Sequence, residues 1–324
     1  MPDRPIPTLH DIISARKVVN QHLKPTPLHF YNSLSELLDA QVWVKHENHQ
    51  PAGAFKVRGG VNLAAGLSEA EKKRGLFTAS TGNHGQSIAY AARVQGIRAV
   101  IAVPEGANPA KVNAMRRLGA EVRFHGPDFD SAREWIMAEA QAQGGHYVGP
   151  TEEALICGVG SYVLEIVEEL PDLDAIIVPV GGGSSASAAG IVLKNINEKI
   201  EVIGCQSAQA PAAQLSWAAG KIVTAPMKTF AEGVATRVPF ENTQRIMRQY
   251  LDDFLLVDDR EIEAAILLYL QLTHNLAEGA GAIPLATALK HKARFAGKKI
   301  VLVLSGGNLH VEKLRSIISR HRGH

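Results

Sequence analysis

The chain has 324 residues, 46% of them hydrophobic and 20% charged, with a formal net charge of +2. That length can bury a large core in about two domains, and the interspersed charge leaves no basic stripe of the kind that takes nucleic acid. Residues 1–13 lack an apolar run and no apolar stretch reaches ~18 residues uninterrupted, so neither a signal peptide nor a membrane span is expected and the cytoplasm is the expected compartment.

Short β-branched runs alternate with longer amphipathic segments. In chain order, strands are expected at 42–44, 76–79, 99–103, 121–124, 175–180, 202–205, 254–257 and 300–304. Helical periodicity marks 87–95, 111–118, 132–142, 163–169 and 261–272. This alternation argues for parallel sheets covered on both faces, with the apolar runs at 176–180 and 300–304 as buried central strands. Residues 144–151 read as a crossing between lobes, mirrored near 46–51. Residues 1–48 with 147–324 would then form a large domain and 49–146 a small one. The fold class is α/β, two doubly wound domains with mostly parallel sheets, which bind ligands at the carboxyl ends of their strands.

Four segments sit at such strand or helix ends. In the first, Lys56 follows Phe55 at the start of an expected helix, where the helix dipole disfavours a cation. Most lysines are solvated surface groups, but desolvation or a positive neighbourhood lowers the amine pKa, and a neutral amine condenses with an aldehyde. In the second, Ser80, Thr81, Gly82, Asn83 and His84 lie between a strand and a helix. They are either simple caps or a cradle of backbone amides for a carboxylate, and His84 is either a base or an orienting group. In the third, Gly181, Gly182, Gly183, Ser184 and Ser185 follow a buried strand and open a small-residue helix, which suits a monophosphate. The Lys-Ser/Thr ending of a nucleotide P-loop is missing there. In the fourth, Ser305-Gly306-Gly307-Asn308 ends a central strand, and Ser305 is either a turn residue or a neutral partner for a ring nitrogen.

Cys157 and Cys205 stand far apart, without partners at metal-ligand spacing, and read as buried thiols. The basic tail at 320–324 reads as a solvated end.

In order and spacing, the four segments resemble the threonine dehydratase and serine racemase family, which are fold-type II pyridoxal-phosphate enzymes. The likeness runs from Thr26-Pro27-Leu28 to Asn308 and takes in Pro109-Ala110-Lys111-Val112 and Arg117-Leu118-Gly119-Ala120-Glu121-Val122. It implies that Lys56 carries pyridoxal 5'-phosphate as a Schiff base and moves the α-proton, with Ser80 and Thr81 beside it among the catalytic residues. It further implies that Asn83 meets the phenolic oxygen of the cofactor, Gly181 to Ser185 its phosphate, Ser305 its pyridine nitrogen and Phe55 its ring. Ser80, Thr81, Gly82, Asn83 and His84 would surround the substrate.

The implied reaction is β-elimination of water from a β-hydroxy-α-amino acid, giving a 2-oxo acid and ammonia. A serine cannot keep the ring nitrogen protonated as an aspartate would, so a long-lived carbanion is disfavoured and prompt loss of a β-leaving group is favoured. Thr81 stands where serine racemases carry the serine that handles the proton on the opposite face, so racemisation is the alternative. A cofactor-binding protein without catalysis is a third reading. A homodimer is implied. The chain ends soon after Asn308, without the regulatory domain of biosynthetic threonine dehydratases, so end-product inhibition through such a domain is not expected.

Departures from the family pattern are local. Ala52 and Ala54 replace two hydroxyl residues, Ser184 replaces a glycine, Ser185 an apolar residue, and Gly279 a proline after Glu278. These changes suggest hydroxyls moved from one side of the cofactor to the other and room for a β-substituent larger than serine's, as in threonine or phenylserine. Gln206 and Ala212 stand where relatives place the carboxylates of a divalent cation, so no metal is expected.

Overall fold

The computed structural model describes residues 6–321; the expectations for residues 1–5 and for 322–324 of the basic tail lie outside the described residues. Its strands are β1 (Leu28–Phe30), β2 (Gln41–His46), β3 (Leu76–Ala79), β4 (Ala99–Val103), β5 (Glu121–Phe124), β6 (His146–Tyr147), β7 (Ala175–Pro179), β8 (Glu201–Ser207), β9 (Asp253–Val257) and β10 (Lys299–Leu304). All eight expected strands are present; β1 and β6 are additional.

The chain divides into two compact units. Among the described residues, the first comprises 6–9, 25–54 and 162–321, and the second 10–24 and 55–161. The boundary expected at 48/49 falls at 54/55, the return expected at 146/147 falls inside the helix Glu153–Glu169, and residues 10–24, expected in the large domain, belong to the second unit. The stretch 144–151 is not a crossing. It contains β6, where His146 and Tyr147 pair with Leu76 and Phe77 of β3. A glycine is needed there because a Cβ on Gly145 would lie 2.2 Å from the Phe77 ring.

In the first unit a six-stranded sheet runs β1-β2-β10-β7-β8-β9, parallel except for β1 against β2. Val42, Val44, Ile177, Ile203, Ile300 and Leu302 form its core with Tyr269 of the helix Asp259–Thr273 and Ile283 of the helix Gly279–Lys290. Burial of such β-branched and leucine side chains contributes ~1.5–3 kcal/mol each. In the same unit, Lys45 and Glu165 form a fully buried ion pair at 2.6 Å, and the Lys45 ammonium also donates to the Thr26 carbonyl.

In the second unit four parallel strands run β5-β4-β3-β6. Phe77, Ala79, Val100 and Ala102 pack on Ala132, Ile136 and Ala140 of the helix Phe129–Ala142. That helix starts three residues earlier than its apolar periodicity, because the Asp128 carboxylate accepts the Ser131 amide and caps it.

Candidate active site

In the second unit, Lys56 is half-buried and opens the helix Lys56–Ala65. Its ammonium lies 4.9 Å from the centre of the buried Phe55 ring. Its carbonyl accepts the Ser87 hydroxyl at 2.6 Å, from the neighbouring helix Asn83–Gln95. The glycines of Lys56-Val57-Arg58-Gly59-Gly60 permit that approach: a Cβ on Gly60 would lie 2.5 Å from the Ser87 oxygen, and one on Gly59 would lie 2.7 Å from the Leu155 carbonyl. Arg58 precedes them and is the largest fully buried side chain among the described residues; it donates to the Ser161 hydroxyl.

The segment 80–84 resolves into distinct roles. Ser80 follows β3 directly, and its hydroxyl oxygen accepts the amides of Gly85 at 2.9 Å and Gly82 at 3.2 Å. Ser80 is thus the cap of this turn, and its oxygen is committed to the backbone. Thr81 and Asn83 are half-buried, and the space where a Gly82 Cβ would stand is open. The helix begins at Asn83, so its first amides point along the helix axis with no carbonyl one turn back.

His84 is buried, and its Nε2 lies 3.3 Å from the Val148 carbonyl. A carbonyl only accepts, so Nε2 carries the proton and Nδ1 is the bare nitrogen of the neutral ring. Burial, then the nearby Lys56 charge, lowers its pKa to about 4. The ring is therefore neutral near pH 7 and oriented by Val148, whose carbonyl also accepts the Thr78 hydroxyl.

In the first unit, the glycine loop follows β7. Gly183 has φ +93 and caps the helix Ser184–Ile196. A Cβ on Gly181 would lie 2.1 Å from the Gly233 carbonyl, and the Gly182 carbonyl accepts the Thr243 hydroxyl at 2.6 Å. Ser184 and Ser185 are buried; the Ser185 hydroxyl is paired with the Tyr162 hydroxyl at 2.8 Å. Further along the same first turn, the fully buried Ser187 hydroxyl has no hydrogen-bond partner among the described residues. A glycine turn with a positive φ at a helix N-terminus fits an anion such as a phosphate monoester.

In the same unit, Gln206 bridges two segments: its Nε2 donates to the Val234 carbonyl at 3.2 Å, and its Oε1 accepts the Gln214 amide. Among the described residues no group of three or more His, Cys, Asp or Glu side chains is placed to hold a metal ion.

Ser305 lies at the C-terminal end of β10 and is 2% exposed. The residues after it run alongside 52–54: Ala54 bridges Gly306, the Gly307 amide donates to the Gly53 carbonyl at 3.0 Å, and Asn308 Nδ2 donates to the Ala52 carbonyl at 2.9 Å. Ala52 and Ala54 are buried, and a Cβ on Gly306 would lie 3.2 Å from that of Ala54. The methyl groups that replace hydroxyls here are packed within this unit. Glu278 also meets this strand end, its amide donating to the Gly306 carbonyl at 3.0 Å.

Ser87, Thr243 and Tyr162 belong to none of the four segments and brace them from outside. Only the small-residue character around Gly60 and after Ser185 signalled close packing at those places. Cys157 and Cys205 are buried free thiols, and burial raises the Cys157 pKa to about 12. No helix among the described residues is long and apolar enough to cross a membrane.

Comparison with known proteins gives a consistent result. The sequence profile of pyridoxal-phosphate dependent enzymes matches residues 19–306. The chain is 38% identical to an L-threonine ammonia-lyase of Thermotoga maritima, over 97% of this chain and 78% of that protein. It is 36% identical to a β-hydroxyaspartate dehydratase of Paracoccus denitrificans, over 95% of this chain and 98% of that protein. Among solved structures, maize serine racemase superposes with a TM-score of 0.92 at 30% identity, covering 99% of both chains.

Proposed function

The chain belongs to the pyridoxal-phosphate dependent enzyme family, and from that premise we propose that it removes water from a β-hydroxy-α-amino acid, giving a 2-oxo acid and ammonia. Bound pyridoxal phosphate supplies the electron sink for the charge left when a proton leaves the α-carbon. The observation that carries the elimination reading is Ser305, buried and uncharged at the end of β10. It can share a hydrogen with a ring nitrogen but cannot hold that nitrogen protonated as a carboxylate would. A weaker sink of this kind favours prompt departure of the β-hydroxyl.

In this reading Lys56 supplies the amine that anchors the cofactor and, once released, takes the α-proton. The α-proton and the β-hydroxyl together make up the water lost, and the dehydrated amino acid, once released, takes up one water to give the 2-oxo acid and ammonia. Phe55 flanks the ring, Asn83 donates to its phenolic oxygen, and Gly181, Gly182, Gly183, Ser184 and Ser185 hold the phosphate. With Tyr162 already paired to the Ser185 hydroxyl, the loop amides carry most of that binding. The opening turn at Thr81, Gly82, Asn83 and His84 receives the substrate carboxylate. Ser80 shapes this turn through the two amides it accepts.

Substrates of the threonine and serine class fit the reading, and likeness to a β-hydroxyaspartate dehydratase adds an acidic candidate beside the bulkier phenylserine. The reading includes a homodimer, and a cytoplasmic location in keeping with two buried unpaired thiols suited to a reducing compartment. The test is to incubate the holoenzyme with both enantiomers of threonine, serine, 3-hydroxyaspartate and phenylserine, following 2-oxo acid, ammonia and enantiomeric composition together. Equal release of 2-oxo acid and ammonia from at least one of them supports dehydration. Interconversion of enantiomers without 2-oxo acid would replace it with racemisation through Lys56 and Thr81.

A further inference from the structure

We propose that Asn308 is a positioning residue for Lys56, a role that rests on the assignment of Lys56 as the cofactor-bearing amine. Asn308 is the last rung of a three-rung ladder. Ala54 bridges Gly306, the Gly53 carbonyl accepts the Gly307 amide at 3.0 Å, and the Ala52 carbonyl accepts Asn308 Nδ2 at 2.9 Å. Two of these rungs are made by backbone and are indifferent to side-chain identity. The third needs a side chain that donates a hydrogen, and only Asn308 supplies it.

The strand behind this ladder is β10, paired on both edges by β2 and β7. A segment tied to a central strand inherits its rigidity. Residues 52–54 lead within two residues to Lys56, so the ladder ends where the lysine-bearing segment begins. Gly53 shows how tight the fit is. It has φ +67, in the left-handed region, and a Cβ there would lie 2.5 Å from Asn308 Oδ1. The two ends of the Asn308 amide thus do different things: Nδ2 holds the carbonyl before Gly53, and Oδ1 fills the space that only a glycine leaves. The same strand end presents Ser305, so the neutral partner proposed for the ring nitrogen and the anchor of the lysine-bearing segment come from four consecutive residues.

A base displaced by a fraction of an ångström loses rate while substrate affinity is retained. The experiment uses the holoenzyme and the variants Asn308→Asp, Asn308→Ser, Gly53→Ala and Gly53→Ala/Asn308→Ser. For each, kcat, KM, the isotope effect of α-deuterated substrate on kcat, and the lysine labelled by borohydride reduction are measured. The Asp variant keeps the shape and removes the donor. It should lower kcat about tenfold or more with KM changed by no more than about twofold, and the α-deuterium effect should rise as proton removal becomes slower. Gly53→Ala should show the same signature. The double variant should lose less than the product of the two single losses, because the shorter serine side chain would no longer crowd the new methyl group. Unchanged kcat and isotope effect in both Asn308 variants, or fully multiplicative losses in the double variant, would overturn the proposal. Should Asn308→Asp fail to fold, Asn308→Ser and the double variant carry the test. Borohydride labelling of a lysine other than Lys56 in the unaltered enzyme would instead overturn the functional reading itself.

Discussion

The Ser87 hydroxyl donates to the Lys56 carbonyl at 2.6 Å, and a Cβ on Gly60 would lie 2.5 Å from that same Ser87 oxygen. One serine therefore both holds the first turn of the lysine helix and leaves no room for any residue larger than glycine one turn on. Ser87→Ala should cost about 1 kcal/mol, the net worth of one hydrogen bond, whereas Gly60→Ala should cost more, because the Ser87 carbonyl also lies 2.8 Å from the new methyl position. Urea unfolding of the two variants checks the order. A larger loss in Ser87→Ala than in Gly60→Ala would contradict this packing.

Lys56→Ala should abolish turnover and the absorbance that comes from covalently anchored cofactor, while free cofactor still binds to the glycine loop with reduced affinity. Absorbance spectra and equilibrium dialysis of the variant check both halves. Retention of the anchored band, with another lysine labelled by borohydride, would refute the assignment.

Ser305→Asp should keep the ring nitrogen protonated, deepen the electron sink and divert flux from elimination towards racemisation or amino-group transfer. The partition of products is the measurement. An unchanged spectrum together with an unchanged product ratio would count against Ser305 as the nitrogen's partner.

Two buried histidines predict how the fold responds to acid. Burial and the Lys56 charge hold His84 at about 4, while burial with His49 and His29 holds His46 at about 3. The unfolded chain takes up these protons near ~6.5, so it binds more protons than the native state below that pH. Stability should therefore fall as the pH drops from ~6.5 towards 5, above the range in which most carboxylates titrate. His146 acts in the opposite sense, its pKa raised by the Glu152 hydrogen bond, so single variants carry the test. His84→Asn and His46→Asn should each flatten the fall in urea midpoint between pH ~6.5 and ~5; parallel profiles for variant and parent would refute the cause.

Chelation should leave activity intact. Gln206 spends its amide on the Val234 carbonyl and the Gln214 amide, and its neutral side chain offers a hard cation no carboxylate. A several-fold loss with chelator, restored by magnesium, would disprove metal independence.

Much of the architecture is legible in the sequence because it rests on repeating physics. The expected strands are mostly short apolar or β-branched runs, which need no knowledge of neighbours. β1 and β6 escape for the opposite reason. His29 and Phe30 are exposed and β6 has two half-buried residues, so neither carries an alternating or continuous pattern. The helix Glu153–Glu169 is legible only over its second half, because 153–162 is apolar on nearly every face and shows no period. At the site, residue types point to Lys56, the glycine loop and Ser305. The contacts that brace them, Asn308 to Ala52 and Thr243 to Gly182, join residues 256 and 61 positions apart. No local spacing encodes such pairs. Ser80 shows the limit within a motif, since a hydroxyl before a helix reads equally as a substrate contact and as the cap it forms here.

The order β1-β2-β10-β7-β8-β9 carries a consequence for biosynthesis. The second unit is complete once residue 161 has left the ribosome, and its parallel sheet can close on segments already made. The first unit cannot close so early, because β10 is the slat between β2 and β7 and arrives last, pairing Gln41 with Lys299 across most of the chain. Until then β2 and β7 each present an unpaired edge while β8 and β9 are synthesised, and such edges are where wrong strand pairing begins. Vectorial synthesis therefore assembles the unit bearing the proposed catalytic lysine first and leaves the half bearing the proposed phosphate loop waiting on a single late strand.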